Sequence, residues 1–299
     1  AACFRSLNEE FRPLADMQDE YDGWPSKPVY EGFRALRYVD SITIDPHKLG
    51  YVPYPAGAVI FRDGRSKELV AQEAAYALGG RYSKAPGEIS IGKYILEGSK
   101  PGAVAASVFL SHRVLPPDER GYGRMLGQTI RSARSFYRRL LQLADKIKAD
   151  FKICPLVFPD TNIINYLVNP AENSRLDIMN QFAHDLYKQL SVDTRSPIQT
   201  RSFLVSHTEL VYDTYNPDVI RPILSENLGI KGEYFVSQEE VASRRANGME
   251  GYDHEAVVFR ATLMNPFVLE KVIGSKDYID LFLERLSSLL LDGRRDLTD

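Results

Sequence analysis

Apolar and polar positions change period along the chain, and each change predicts an element. Ser41-Ile42-Thr43-Ile44 alternates and is β-branched, which predicts a strand. Gly57-Ala58-Val59-Ile60-Phe61 is a largely apolar run of the kind buried strands show. Between them Pro46, Gly50, Pro53 and Pro55 punctuate a turn. Residues 28–40 form a short amphipathic stretch leading into the first strand. Residues 66–78 and 101–115 read as helices, the second rich in Ala and Val as a buried helix would be. A long amphipathic helix is expected over 121–150, where Ile130, Ala133, Tyr137, Leu140, Leu141, Ala144 and Ile147 recur at three- and four-residue spacing. After Asp150 strands alternate with helices. Strands are expected at 151–158, 162–168, 200–210 and 255–264, and helices at 174–191, with Ser174 as N-cap, and at 275–293. Polar, Gly-containing residues 236–254 read as a mobile loop. The pattern divides the chain into an α/β part, 1–150, and a small α+β domain, 151–299.

Composition narrows the class. A chain of 299 residues, 44% hydrophobic and 26% charged, has room for one large or two ordinary domains. Its net charge of −3 argues against a nucleic-acid partner. The arginines at 131, 134, 138 and 139 therefore read as a solvated helix face and not a polyanion site. Cys3 and Cys154 lie far apart with no C-x-x-C spacing, so neither zinc nor a disulfide framework is supported, and a reduced, cytoplasmic setting fits. No apolar run approaches membrane-spanning length. Gly121 and Gly123 fail as a dinucleotide loop because no strand precedes them and the third glycine is out of register. The scattered histidines suggest no metal site.

Lys48 stands out. It hangs at a strand end, where α/β sheets place ligands. One reading is a solvated loop lysine. The other notes the restrained backbone and the neighbours His47, Tyr51 and Tyr54. Partial desolvation there would favour a neutral amine able to attack an aldehyde.

The stretch DPHKLGYVPYPAG (45–57), with EGSKPGAVAASVF (97–109), SHRVLP (111–116), FPDTNIINY (158–166), SHTEL (206–210) and FRATLMNPF (259–267), resembles the pyridoxal-phosphate-dependent group II decarboxylases, in order from end to end. The look is nearest to the bacterial tyrosine decarboxylases. The resemblance implies the C-terminal half of a fold-type I pyridoxal-phosphate-dependent transferase: the end of the large mixed-sheet domain plus a small α+β domain. It implies decarboxylation of an aromatic, tyrosine-like L-amino acid to its amine and carbon dioxide. The chain opens with Ala1-Ala2-Cys3, matching residues just after the family aspartate that pairs with the pyridine nitrogen. By that match an N-terminal half, a further partner of the fold, is missing, and activity requires it.

The same resemblance distributes roles. Lys48 matches the lysine that holds pyridoxal 5'-phosphate as a Schiff base, and His47 the histidine that donates to its phosphate; a capping histidine is the alternative. Tyr54 matches the phenol that delivers a proton to the substrate carbon, against a tyrosine that only packs on the turn. Asp45 stands where many members carry Asn or Ser as phosphate donor, so it must be protonated or turned toward another donor. Ser99 matches the segment that crosses a dimer interface to the neighbour's phosphate, or else caps a helix. Arg260 matches an arginine able to grip a substrate carboxylate, and a structural ion pair is the alternative. Thr262 matches a small hydroxyl position near the substrate ring, on the same strand face as Arg260. A homodimer or higher assembly is implied. Two rival functions remain: a retro-aldol lyase resembling sphingosine-phosphate lyase, and a non-catalytic fragment or regulatory subunit.

Overall fold

The computed structural model describes residues 2–8, 10–71, 94–95, 97, 100–192 and 203–295. The chain separates into two compact units, Ala1–Gly127 and Gln128–Asp299.

The first unit holds helices α1 (Leu14–Glu20) and α2 (Lys27–Ala35), strands β1 (Ser41–Ile44) and β2 (Ala58–Phe61), and helix α3 (Gly102–Val114). Its core is an aromatic cluster near the N-terminus. Phe4 stacks on Phe33 with centroids 4.2 Å apart and lies 5.4 Å from Trp24, and Met17 and Tyr21 are buried beside them. Buried Arg12 is held by Glu20 at 2.6 Å and Glu119 at 2.9 Å, and Tyr30 donates to the Arg12 carbonyl at 2.8 Å. The single charge of this guanidinium is thus compensated, as burial requires.

β1 and β2 pair antiparallel, Ser41 opposite Phe61 and Ile44 opposite Ala58. Both lie where the alternation places them, but β2 is not the buried strand its apolar run suggests: Val59 and Ile60 are exposed. Helix α3 is a second correction. It forms over the expected residues, yet no residue in it is buried, and Phe109, Leu110 and Val114 face solvent. Apolar composition reports what a surface can bury, and these surfaces have no cover among the described residues. Of the helix expected at 66–78, the described part is a 3-10 segment, Gly64–Val70; the remainder lies outside the described residues.

Helix α4 (Tyr122–Lys146) begins in the first unit and continues into the second. There, strands β3 (Phe151–Pro155) and β4 (Ile163–Pro170), helix α5 (Leu176–Gln189), strand β5 (Ser206–Val211) and helix α6 (Pro217–Pro222) follow. Helix α7 (Gln238–Ala246), strands β6 (Glu255–Thr262), β7 (Lys271–Ile273) and β8 (Lys276–Asp277), and helix α8 (Tyr278–Arg295) complete it. β3, β4, β6 and β5 form an antiparallel sheet in the order β3-β4-β6-β5. Successive side chains on a strand take opposite faces. Ile164, Tyr166, Val168, Val257 and Phe259 accordingly join a core with Phe136 and Leu140 of α4 and Phe282 and Leu286 of α8. Leu167, Ala256, Val258 and Leu210 join a second core with Ile220, Leu224 and Phe235. The sheet is sandwiched between these two cores, which is why its strands read as nearly continuous apolar runs.

Three local expectations change in this unit. Helix α5 is preceded by Arg175, without a side-chain cap, so Ser174 is not its N-cap. The expected loop 236–254 contains α7, whose N-cap Ser237 accepts from the Glu240 amide and whose Val241 is buried. The arginine face of α4 is not uniformly solvated. Arg134 is buried with its guanidinium 4.2 Å from the Phe158 ring centre, and Arg139 binds Asp277 at 2.8 Å and Asp280 at 2.9 Å. Among the described residues no helix is long and apolar enough to cross a membrane.

Candidate active site

The chain between β1 and β2 folds back on itself through backbone hydrogen bonds. The Lys48 amide donates to the Asp45 carbonyl at 3.1 Å, Tyr51 to Lys48 at 3.0 Å and Val52 to Pro46 at 3.1 Å. Gly50 is required here, because a Cβ at this position would overlap the Pro46 backbone. Tyr51 takes a φ of 53°, a left-handed conformation that a bulky residue holds only when its surroundings impose it. Buried Val52 and Ala56 anchor the turn. The position of the lysine is thus fixed by the backbone.

Its side chain reaches Asp45, with Nζ 2.7 Å from Oδ2. That hydrogen bond holds the Asp45 carboxyl below the usual carboxylate range, with His47 adding to the effect. Asp45 is therefore an ionised acceptor turned toward a donor, the second of the two arrangements expected for it. The expected desolvation of Lys48 is absent: its side chain is 65% exposed. Tyr51 is partly buried, which pushes its phenol up, whereas Tyr54 is 43% exposed. His47 Nδ1 bonds the Ala56 carbonyl, which can only accept, so Nδ1 carries the proton and Nε2 remains for another partner. The turn brings Asp45, His47 and Lys48 together and leaves Tyr54 on its exposed far arm.

In the second unit, Arg260 and Thr262 project from one face of β6 near its end, both exposed, as the alternation requires. Asn165 of β4 and Ser206 of β5 are the direct register partners of Arg260. Ser206 Oγ donates to the Arg260 carbonyl at 3.1 Å. No sequence signal singled out Asn165, since a lone polar residue in an apolar strand acquires meaning only through pairing. Ser99 lies outside the described residues. His207, for which the sequence suggests no role, pairs with Glu209 at 3.0 Å and packs against Tyr187. Burial pushes the Cys3 thiol up to about 11 and raises Cys154, so neither is poised as a nucleophile.

A phosphorylated aldehyde fits the first constellation. The Lys48 Nζ, 65% exposed on an anchored turn, is reachable by such an aldehyde once it gives up the proton that its ion pair with Asp45 favours, and the adjacent imidazole has Nε2 available. Asp45, an acceptor only, fits as the partner of the amine and not as a phosphate donor.

Comparison with known proteins concerns the family and the fold. L-tyrosine decarboxylase of Enterococcus faecalis is 30% identical over 100% of this chain and 46% of its own length. That of Enterococcus faecium is 35% identical over 85% of this chain and 42% of its own. The chain thus spans about half the length of the curated relatives it matches. Among solved structures, Oryza sativa TDC with PLP and tryptamine superposes with a TM-score of 0.52 at 12% identity, over 95% of this chain and 48% of that one. Mouse CSAD does so with 0.51 at 15% identity, over 93% and 48%. These likenesses establish the α/β fold expected from the sequence. The family model for the C-terminal region of tyrosine decarboxylase matches residues 132–290, and the chain belongs to that family.

Proposed function

We propose that this protein takes part in pyridoxal-phosphate-dependent decarboxylation of an L-amino acid, with an aromatic, tyrosine-like substrate. The observation that carries the reading is Lys48, an exposed amine held at the end of β1 by a backbone-fixed turn, in a chain of the tyrosine decarboxylase family. When bound, pyridoxal phosphate supplies an electron sink for the carbanion left as carbon dioxide departs.

The chain's own residues divide the remaining tasks. Lys48 would hold the cofactor through its amine, and the ionised Asp45 would orient that amine as its hydrogen-bond acceptor. His47, its tautomer set by the Ala56 carbonyl, leaves Nε2 as the atom that would face the cofactor's phosphate. The exposed Tyr54 phenol, a donor as well as an acceptor, would deliver a proton to the substrate carbon. Arg260 recognises a carboxylate through its planar fork, and Thr262 lies beside the substrate ring. The part of the relatives' length that this chain does not span completes the cofactor pocket. The assembly is a dimer or larger and works in the cytoplasm.

The test is product analysis. With pyridoxal phosphate and a polypeptide supplying the rest of the relatives' length, the protein should release tyramine and carbon dioxide from L-tyrosine. An aldehyde product would indicate retro-aldol cleavage, and no product in a fully assembled, cofactor-loaded protein would indicate a regulatory chain. Either result sinks the proposal.

A further inference from the structure

The strand face bearing Arg260 has an unusual acceptor. Asn165, Arg260 and Ser206 stand directly opposite one another across β4, β6 and β5, so their side chains leave the same face. Direct cross-strand partners have Cβ atoms about 5 Å apart, within reach of an arginine. The pleat puts Thr208, Val258 and Thr262 on this face as well, and sends His207 and Glu209 to the other. No carboxylate therefore stands in the row, and no ion pair to Arg260 occurs among the described residues. The Oδ1 atom of Asn165 is buried and has no hydrogen-bond partner among the described residues. Ser206 is already committed to the Arg260 carbonyl.

A buried acceptor without a donor, on the direct register partner of an arginine with five donors, is half of an interaction. A guanidinium that grips a carboxylate with one edge leaves N–H groups on its other edge, and those need an acceptor that does not cancel the charge. A neutral amide oxygen meets that requirement; an aspartate would consume the charge. We infer that Asn165 is a positioning residue for Arg260: its Oδ1 accepts from the guanidinium and fixes the fork for an incoming amino-acid carboxylate. This rests on the assignment of Arg260 to carboxylate recognition.

The test needs neither cofactor nor turnover. Guanidinium resonances of Arg260 are followed by NMR in the full chain while L-phenylalanine, or phenethylamine as its carboxylate-free counterpart, is added. L-phenylalanine should move the Arg260 signal and phenethylamine should not. Asn165→Leu should weaken the response about tenfold, the scale of one hydrogen bond to a charged group. Asn165→Asp keeps the shape of the side chain but places a fixed carboxylate beside the guanidinium; it should abolish the response while sheet amide signals stay dispersed. Unchanged affinity in Asn165→Leu, or a persisting response in Asn165→Asp, overturns the role of Asn165 and leaves the proposed function standing. If L-phenylalanine moves no Arg260 signal in the unsubstituted chain, the inference falls together with the carboxylate role of Arg260, while the assignment of Lys48 is untouched.

Discussion

At the scale of single residues, chemistry in this protein follows from which groups the backbone fixes and which it leaves free. Lys48, His47 and Asp45 sit in one hydrogen-bonded turn, whereas Tyr54 stands on its exposed arm. A phenol there can turn toward a reacting carbon without breaking a bond the fold depends on. Tyr54→Phe should leave cofactor attachment and thermal stability nearly intact and lower amine release by about 100-fold or more, the range of a lost general acid. Wild-type turnover in that variant, measured in the assembled enzyme, would reduce Tyr54 to packing. The lysine and its turn were legible in the sequence because Pro and Gly announce a restrained backbone. The ion pair with Asp45 was not, because a three-residue separation in a turn does not say which way either side chain points. The left-handed Tyr51 was equally hidden, since only the closed turn forces it.

Elements show the same division between local signals and tertiary ones. Helix α4, β4, β6 and α8 appear where the apolar spacing puts them, because each buries the surface its period creates, whereas the strand expected at 151–158 ends at Pro155 and, of that expected at 200–210, residues 203–205 are not strand. The sequence of residues 236–254 reads as loop because the short polar helix within it carries only one buried apolar side chain, Val241, so its cap Ser237 is its strongest signal. α3 was misread as buried because composition cannot reveal what covers a surface. The start of α8 illustrates how much a junction adds. Asp277 accepts from the Asp280 amide at 3.0 Å, and the Asp280 carboxylate accepts from the Asp277 amide at 3.2 Å, a reciprocal cap bridged by Arg139 of α4. Burial alone would raise the Asp277 pKa, but the amides of Asp280 and Ile279 and the Arg139 guanidinium outweigh it and hold the carboxyl below its ordinary value of 3.8. The stabilisation is therefore complete above that value and is lost as pH falls through the lower folded one. Asp277→Asn should cost about 3 kcal/mol at neutral pH, as expected for a broken buried pair. Denaturant unfolding of both proteins across acid pH should show a constant gap well above the ordinary value of 3.8 and a gap that narrows as pH falls below it. A gap independent of pH would assign the loss to packing.

For the whole molecule, the exposed apolar surface of the first unit is the dominant feature. Ile44, Val59 and Ile60 on a two-stranded ribbon, and Phe109, Leu110 and Val114 on α3, are the kind of surface that proteins cover. The chain alone should associate, with a light-scattering mass above that of one copy, and Ile60→Lys should shift it toward the monomer. A monodisperse monomer at high concentration would contradict this.

The account turns on Lys48, and borohydride trapping tests it most directly. The protein, assembled with the remainder of its relatives' length, is incubated with pyridoxal phosphate, reduced, digested and mapped by mass spectrometry. The account predicts a phosphopyridoxyl group on Lys48, lost in Lys48→Arg while the fold is retained. A label on another lysine, or none on a folded and assembled protein, would contradict it.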